Sequence, residues 1–182
     1  MPRRFGHNYP LIIWPALLIV CLDQASKIAV LKSLRVYESV PVIKGFFNMV
    51  HVRNRGMAFG FLNRPDMNFG FWILVSATIF AIILLLFWFY RMENESNWTT
   101  LGLSLILGGA LGNLIDRIRL HEVIDFLDFY VGSYHWPAFN VADAAITVGA
   151  LMVGLTLFLA APSKKTASPT DKGAGDSCQG SG

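Results

Sequence analysis

Gly108 to Arg117 reads G-G-A-L-G-N-L-I-D-R, Val123 to Tyr130 reads V-I-D-F-L-D-F-Y, and Phe139 to Asp143 reads F-N-V-A-D. These three stretches decide the fold, because they place acids at the edges of apolar runs long enough to cross a bilayer. Four of the chain's twelve acidic residues lie here: Asp116, Asp125, Asp128 and Asp143. A charged side chain at the centre of a membrane helix costs ~2.5–3.5 kcal/mol on the insertion scale. Acids retained beside such runs are therefore functional candidates. Their interleaving with Asn113, Arg117 and Asn140 argues against ordinary loop acids.

The composition agrees with a membrane protein. The 182 residues are 54% hydrophobic and only 15% charged, against about 25% charged in a soluble domain. A net charge of +3 without a basic run gives no case for a nucleic-acid partner. The two cysteines, Cys21 in an apolar run and Cys178 in a polar tail, have no metal-ligand spacing. The four histidines form no H-E-x-x-H motif, so neither a metal nor another cofactor is expected.

Four apolar spans are predicted, about 11–31, 70–90, 99–116 and 139–161. Together they make residues 1–161 one four-span unit, and 162–182 a disordered polar tail. The run after Arg3 and Arg4 continues past Cys21, so it reads as an uncleaved first span. Asp23 and Lys27 within it are spaced i, i+4, the order that favours a structural ion pair. Gly108 and Gly112 form a small-xxx-small step for close helix approach, and Ala145–Gly149 and Ala150–Gly154 form two more. Asn113, Asp116 and Arg117 fall on one helix face, which suggests a polar pocket. Asp116 and Arg117 are also readable as an internal ion pair.

Between the first two spans, residues 33–68 lack a helical period. Val40, Val42, Phe46, Val50 and Val52, punctuated by Pro41, Gly45, Gly56 and Gly60, predict two to four short strands. N-R-G-M-A-F-G, Asn54 to Gly60, reads as a turn. Arg119 to Pro137 reads as a loop with at most one interfacial turn. Positive charge does not orient the spans: Arg3, Arg4, Lys164, Lys165 and Lys172 flank one side, while the first loop carries six more cations.

Asp125 and Asp143 flank one loop between antiparallel spans, which brings them to one membrane depth. Two facing carboxylates share a proton, since both cannot ionise at close range. One then serves as general base on water and the other as general acid, the chemistry of an aspartic protease. Spacing alone does not choose the pair: on a helical turn, Asp128 at i+3 would take the place of Asp125. Serine–histidine chemistry fits poorly, because no histidine lies within a span. A small four-span proton- or cation-coupled transporter and a purely structural subunit are the rival readings.

Five blocks in order carry a more specific signal: D-Q-A-S-K (Asp23 to Lys27), N-R-G-M-A-F-G, G-G-A-L-G-N-L-I-D-R, V-I-D-F, and F-N-V-A-D-A-A-I (Phe139 to Ile146). On these the chain resembles the bacterial signal peptidase II family, the lipoprotein signal peptidases, over about residues 11–161. The resemblance implies an α-helical membrane protein with four transmembrane helices and a small β-cradle formed by the first extracytoplasmic loop. It implies an aspartic endopeptidase of the bacterial inner membrane that cuts diacylglyceryl-modified prolipoproteins before the lipidated Cys. Asp125 and Asp143 match the family's catalytic dyad. Asn54, Gly56, Asn113, Asp116, Arg117 and Asn140 match positions that bind substrate or order the site, and Asp23 with Lys27 a structural block. The termini would be cytoplasmic and the site extracytoplasmic. Met57 and Ala144 depart from the family's usual residues without removing a needed functional group.

Overall fold

A computed structural model describes residues 9–56, 69–92 and 96–160. The predicted polar tail and the second half of the N-R-G-M-A-F-G block, with Met57 and Gly60, lie outside them. Four helices carry the apolar runs: α1 (Tyr9–Ser33), α2 (Phe69–Arg91), α3 (Asn97–Leu120) and α4 (Val141–Ala160). Each is long and apolar enough to cross a membrane.

Helix α3 is the axis of the bundle. Some 61% of its apolar stretch is buried, against 17–22% for the other three, which keep broad apolar faces for lipid. Glycine sets the approach. A Cβ on Gly108 would lie 2.7 Å from the Ala16 carbonyl oxygen of α1, and one on Gly109 would strike the Ala142 carbonyl of α4. Gly102 and Gly149 meet each other in the same way, whereas Gly154 faces open space and makes no packing step. Near Pro15 in α1, the Ser104 hydroxyl of α3 donates to the Ile12 carbonyl, one more α1–α3 tie. The third span runs a turn past its predicted end at Asp116. It stops at His121, whose left-handed backbone (φ 59°) lets its N–H donate to the Arg117 carbonyl.

A four-stranded antiparallel sheet caps one end, in the order β1 (Ser39–Ile43), β2 (Phe47–Asn54), β3 (Val123–Val131), β4 (Tyr134–His135). The first loop therefore supplies only half of the cradle. The predicted Arg119–Pro137 loop is corrected here, because it contributes β3 and β4. V-I-D-F-L-D-F-Y is rich in β-branched and aromatic residues. It conceals the usual alternation because β3 is covered on both faces over Val123–Phe126.

One register detail positions the site. Met49 pairs with Leu127 but Val52 pairs with Asp125, so β2 advances three residues where β3 advances two. This bulge at Val50–His51 inverts the faces of everything beyond it. Asn54, which pairs with Val123, thereby shares a face with Asp125, while Arg53, paired with Ile124, takes the opposite one.

Candidate active site

Four elements meet where the sheet joins the bundle: β3 brings Asp125, the end of β2 brings Asn54, the start of α4 brings Asn140 and Asp143, and α3 brings Asn113. Asp125 is 2% exposed. Its Oδ1 accepts from Asn140 Nδ2 at 2.8 Å and its Oδ2 from Asn54 Nδ2 at 2.9 Å. The Asn54 amide has one consistent orientation, because its Oδ1 accepts the Gly56 N–H at 2.8 Å. Gly56 needs its φ of +98°, and a Cβ there would run into Leu74 of α2.

Asn140 and Asp143 form a reciprocal cap at the start of α4. The Asp143 N–H donates to Asn140 Oδ1 at 2.9 Å, and the Asn140 N–H to Asp143 Oδ2 at 3.3 Å. Asp143 Oδ1 accepts from Asn113 Nδ2 at 2.8 Å, and Asn113 Oδ1 in turn accepts from Asn140 Nδ2 at 3.2 Å. A single amide, that of Asn140, thus holds Asp125 with one end and the Asp143 backbone with the other. Asp143 remains partly accessible.

Burial is the main cause that lifts the Asp125 carboxyl from its ordinary 3.8 to about 6. The Asn54 hydrogen bond opposes it, the Asp143 charge adds to it, and the Asn140 bond and Lys27 oppose it again. A carboxyl near 6 is poised to hold or release a proton around neutral pH.

Behind the amides lies a buried ionic cluster. Lys27 Nζ is 2.7 Å from Asp23 Oδ2, 2.8 Å from Asp116 Oδ2 and 3.1 Å from Asn113 Oδ1. Three ammonium protons meet three acceptors, the condition under which a buried charge is tolerated. Asp23 Oδ1 accepts the Ala142 N–H, and Asp116 Oδ2 the Ile124 N–H, so the cluster ties α1 and α3 to the two elements that carry the acids. A Cβ on Gly112 would lie 2.6 Å from Asp23 Oδ2.

The alternative reading of Asp116 and Arg117 as an internal ion pair is corrected by this geometry. Adjacent helix positions do not face each other. Asp116 turns to Lys27, and Arg117 Nη1 donates to the Asn113 carbonyl at 3.3 Å. The reading of Asp128 at i+3 on a helical turn also fails. In a strand, three residues put the two acids on opposite faces. Asp128 instead meets Asn48 at 2.9 Å and His135 at 2.9 Å. Sequence reading missed Gln24, whose amide reaches Asp116 Oδ1 at 2.8 Å. It also missed Glu122, which binds Arg53 and Arg55.

The family profile described as signal peptidase (SPase) II matches residues 15–159. The chain belongs to the signal peptidase II family. It is 45% identical over 151 residues to the lipoprotein signal peptidase of Nitratidesulfovibrio vulgaris (strain DP4), covering 83% of this chain and 91% of that one. To the lipoprotein signal peptidase of Oleidesulfovibrio alaskensis it is 47% identical over 143 residues, 79% of this chain and 91% of the other. A solved bacterial membrane enzyme superposes with a TM-score of 0.76 at 30% identity, over 89% of this chain and 96% of its own. Membership in signal peptidase II makes this a multi-pass membrane hydrolase that cuts peptide bonds. The transporter and structural-subunit readings lose their support.

Proposed function

We propose that this chain is an aspartic endopeptidase that removes signal peptides from diacylglyceryl-modified prolipoproteins, cutting before the lipidated Cys, with Asp125 and Asp143 as its dyad. The observation that carries this reading is the Asn140 amide, which ties a buried Asp125 to a partly open Asp143. The two acids sit in unlike surroundings, the arrangement that separates an acid from a base. Asp125 holds the shared proton, and ionised Asp143 takes one from a water. The water oxygen attacks the scissile carbonyl carbon while the Asp125 proton passes to the carbonyl oxygen. On collapse, a hydroxyl proton of the gem-diol returns to Asp125, the amide nitrogen takes the proton held by Asp143, and the C–N bond breaks.

The neighbours have separate tasks in this reading. Asn54, Gly56, Asn113, Asp116, Arg117 and Asn140 bind substrate or order the dyad, and Asp23 with Lys27 holds the helices together. No metal or other cofactor takes part. The site lies at the extracytoplasmic edge of the bacterial inner membrane, with both termini cytoplasmic. Membrane lipid surrounds the spans, and the substrate's acyl chains lie against them. Each buried CH₂ contributes ~0.8 kcal/mol, so the lipid anchors the scissile bond at that depth.

The test is cleavage by the purified full chain of a lipobox peptide with and without its diacylglyceryl group, at matched concentration. The lipidated peptide is expected to be cut and the bare one poorly. Equal turnover of the two would remove the lipid from the proposal.

A further inference from the structure

Asn54 faces Asp125 only because of the bulge in β2. Without the extra residue, the ladder would place Arg53 on the Asp125 face and turn Asn54 away. A guanidinium beside Asp125 would hold it ionised and prevent proton sharing. Of the two registers, bulged and unbulged, only the bulged one gives the arrangement described. The ladder pairs of β2 with β3 end at Asn54–Val123, so the register needs a fastening there.

Glu122 lies at that point. It precedes Val123, on the face of the sheet opposite Asp125. It is 6% exposed. Its Oε1 is 2.8 Å from Arg53 Nη1 and its Oε2 is 3.4 Å from Arg55 Nε. Arg53 and Arg55 flank Asn54 and, at strand spacing, point away from it. A slip of one residue would bring Asn54 to the Glu122 face and strand a buried carboxylate without its cations, a costly state.

We propose that Glu122 is a positioning residue for the reaction: it grips Arg53 and Arg55 on the back of β2 and so keeps the Asn54 amide on Asp125. This rests on the reading of Asp125 as a dyad member. Among the described residues, the groups that face Asp125 are Asn54 of β2, Asn140 and Asp143 beside and within α4, and the charges of Lys27 in α1 and Arg117 in α3. Glu122 touches none of the reacting atoms and acts through Asn54.

The experiment compares full-length wild type, Glu122→Gln and Arg53→Gln, each alone and with Asn54→Ala, in cleavage of a diacylglyceryl lipobox peptide. Each single variant is expected to lose about tenfold in kcat, the scale of one hydrogen bond, with KM within about twofold. On the Asn54→Ala background neither change should cost more than about twofold further, because both act through that amide. Arg53→Gln keeps the test open if Glu122→Gln does not fold. Wild-type kcat in the folded variants, or a full tenfold loss retained on the Asn54→Ala background, overturns the inference. Asp125→Asn runs alongside. If it cleaves like wild type, the dyad and this inference fall together. If it is inactive while Glu122→Gln is fully active, only the inference falls.

Discussion

Lys27 Nζ lies 2.8 Å from Asp116 Oδ2, and both side chains are almost wholly buried. The contact joins α1 to α3 behind the Asn113 and Asn140 amides. With Asp23, it makes a triad of one cation and two anions, which the Ala142 and Ile124 N–H groups complete.

Lys27→Met should therefore be among the most damaging substitutions. It leaves two buried carboxylates without their cation, and breaking such a pair costs ~3–5 kcal/mol. A thermal melt in detergent should show a large drop in Tm. A Tm near wild type would mean that the cluster does not hold the helices.

Gly109→Ala tests the α3–α4 approach. The new Cβ would strike the Ala142 carbonyl, which is backbone and cannot swing aside. Overpacking of this kind costs ~1–3 kcal/mol, and it displaces the helix that carries Asp143. Gly154→Ala, further along α4 where a Cβ would meet open space, should be neutral or slightly stabilising. Paired melting and cleavage measurements should separate the two; equal behaviour would show that the close approach is not needed.

The raised Asp125 carboxyl predicts a pH signature in stability. Its folded pKa of about 6 exceeds its ordinary 3.8. Between those values the folded chain holds the proton more tightly than the unfolded one. This contribution is present at low pH and is lost as pH rises through that window. Asp125→Asn removes the titration. The Tm of Asp125→Asn relative to wild type should therefore rise between pH 4 and pH 7. A constant difference across that range would contradict the raised carboxyl.

The spans were legible because apolar length is a local property of sequence, and all four appear as helices. Strand β3 was not, because a strand covered on both faces loses its alternation. The Asp23–Lys27 contact follows from i, i+4 spacing. The choice of Lys27 over Arg117 by Asp116 does not, since it depends on which helix packs against α3. The bulge at Val50–His51 left no turn residue to mark it, so the face on which Asn54 would emerge was hidden. Glu122 was hidden for the same reason: its partners lie across the ladder from it.

The dyad assignment is tested by replacing each acid with its amide, which keeps shape and removes the acid–base function. Asp125→Asn and Asp143→Asn should each reduce single-turnover cleavage by at least ~10²–10⁴, the usual scale for a lost acid–base group. The double variant should be hardly worse than either single one, because residues that act as a unit are not additive. Asp128→Asn should keep most activity. Its carboxylate lies on the other face of β3, where Asn48 and His135 hold it. Asp116→Asn should lose activity by a different route. It weakens the Lys27 contact and the Ile124 N–H bond, so its Tm should fall as its rate falls. Melting curves beside the rates keep the two causes apart: a dyad variant is folded and inactive, whereas a cluster variant is unstable. Substantial cleavage by folded Asp125→Asn, with Asp128→Asn inactive, would overturn the assignment and move the chemistry to the opposite face of the strand.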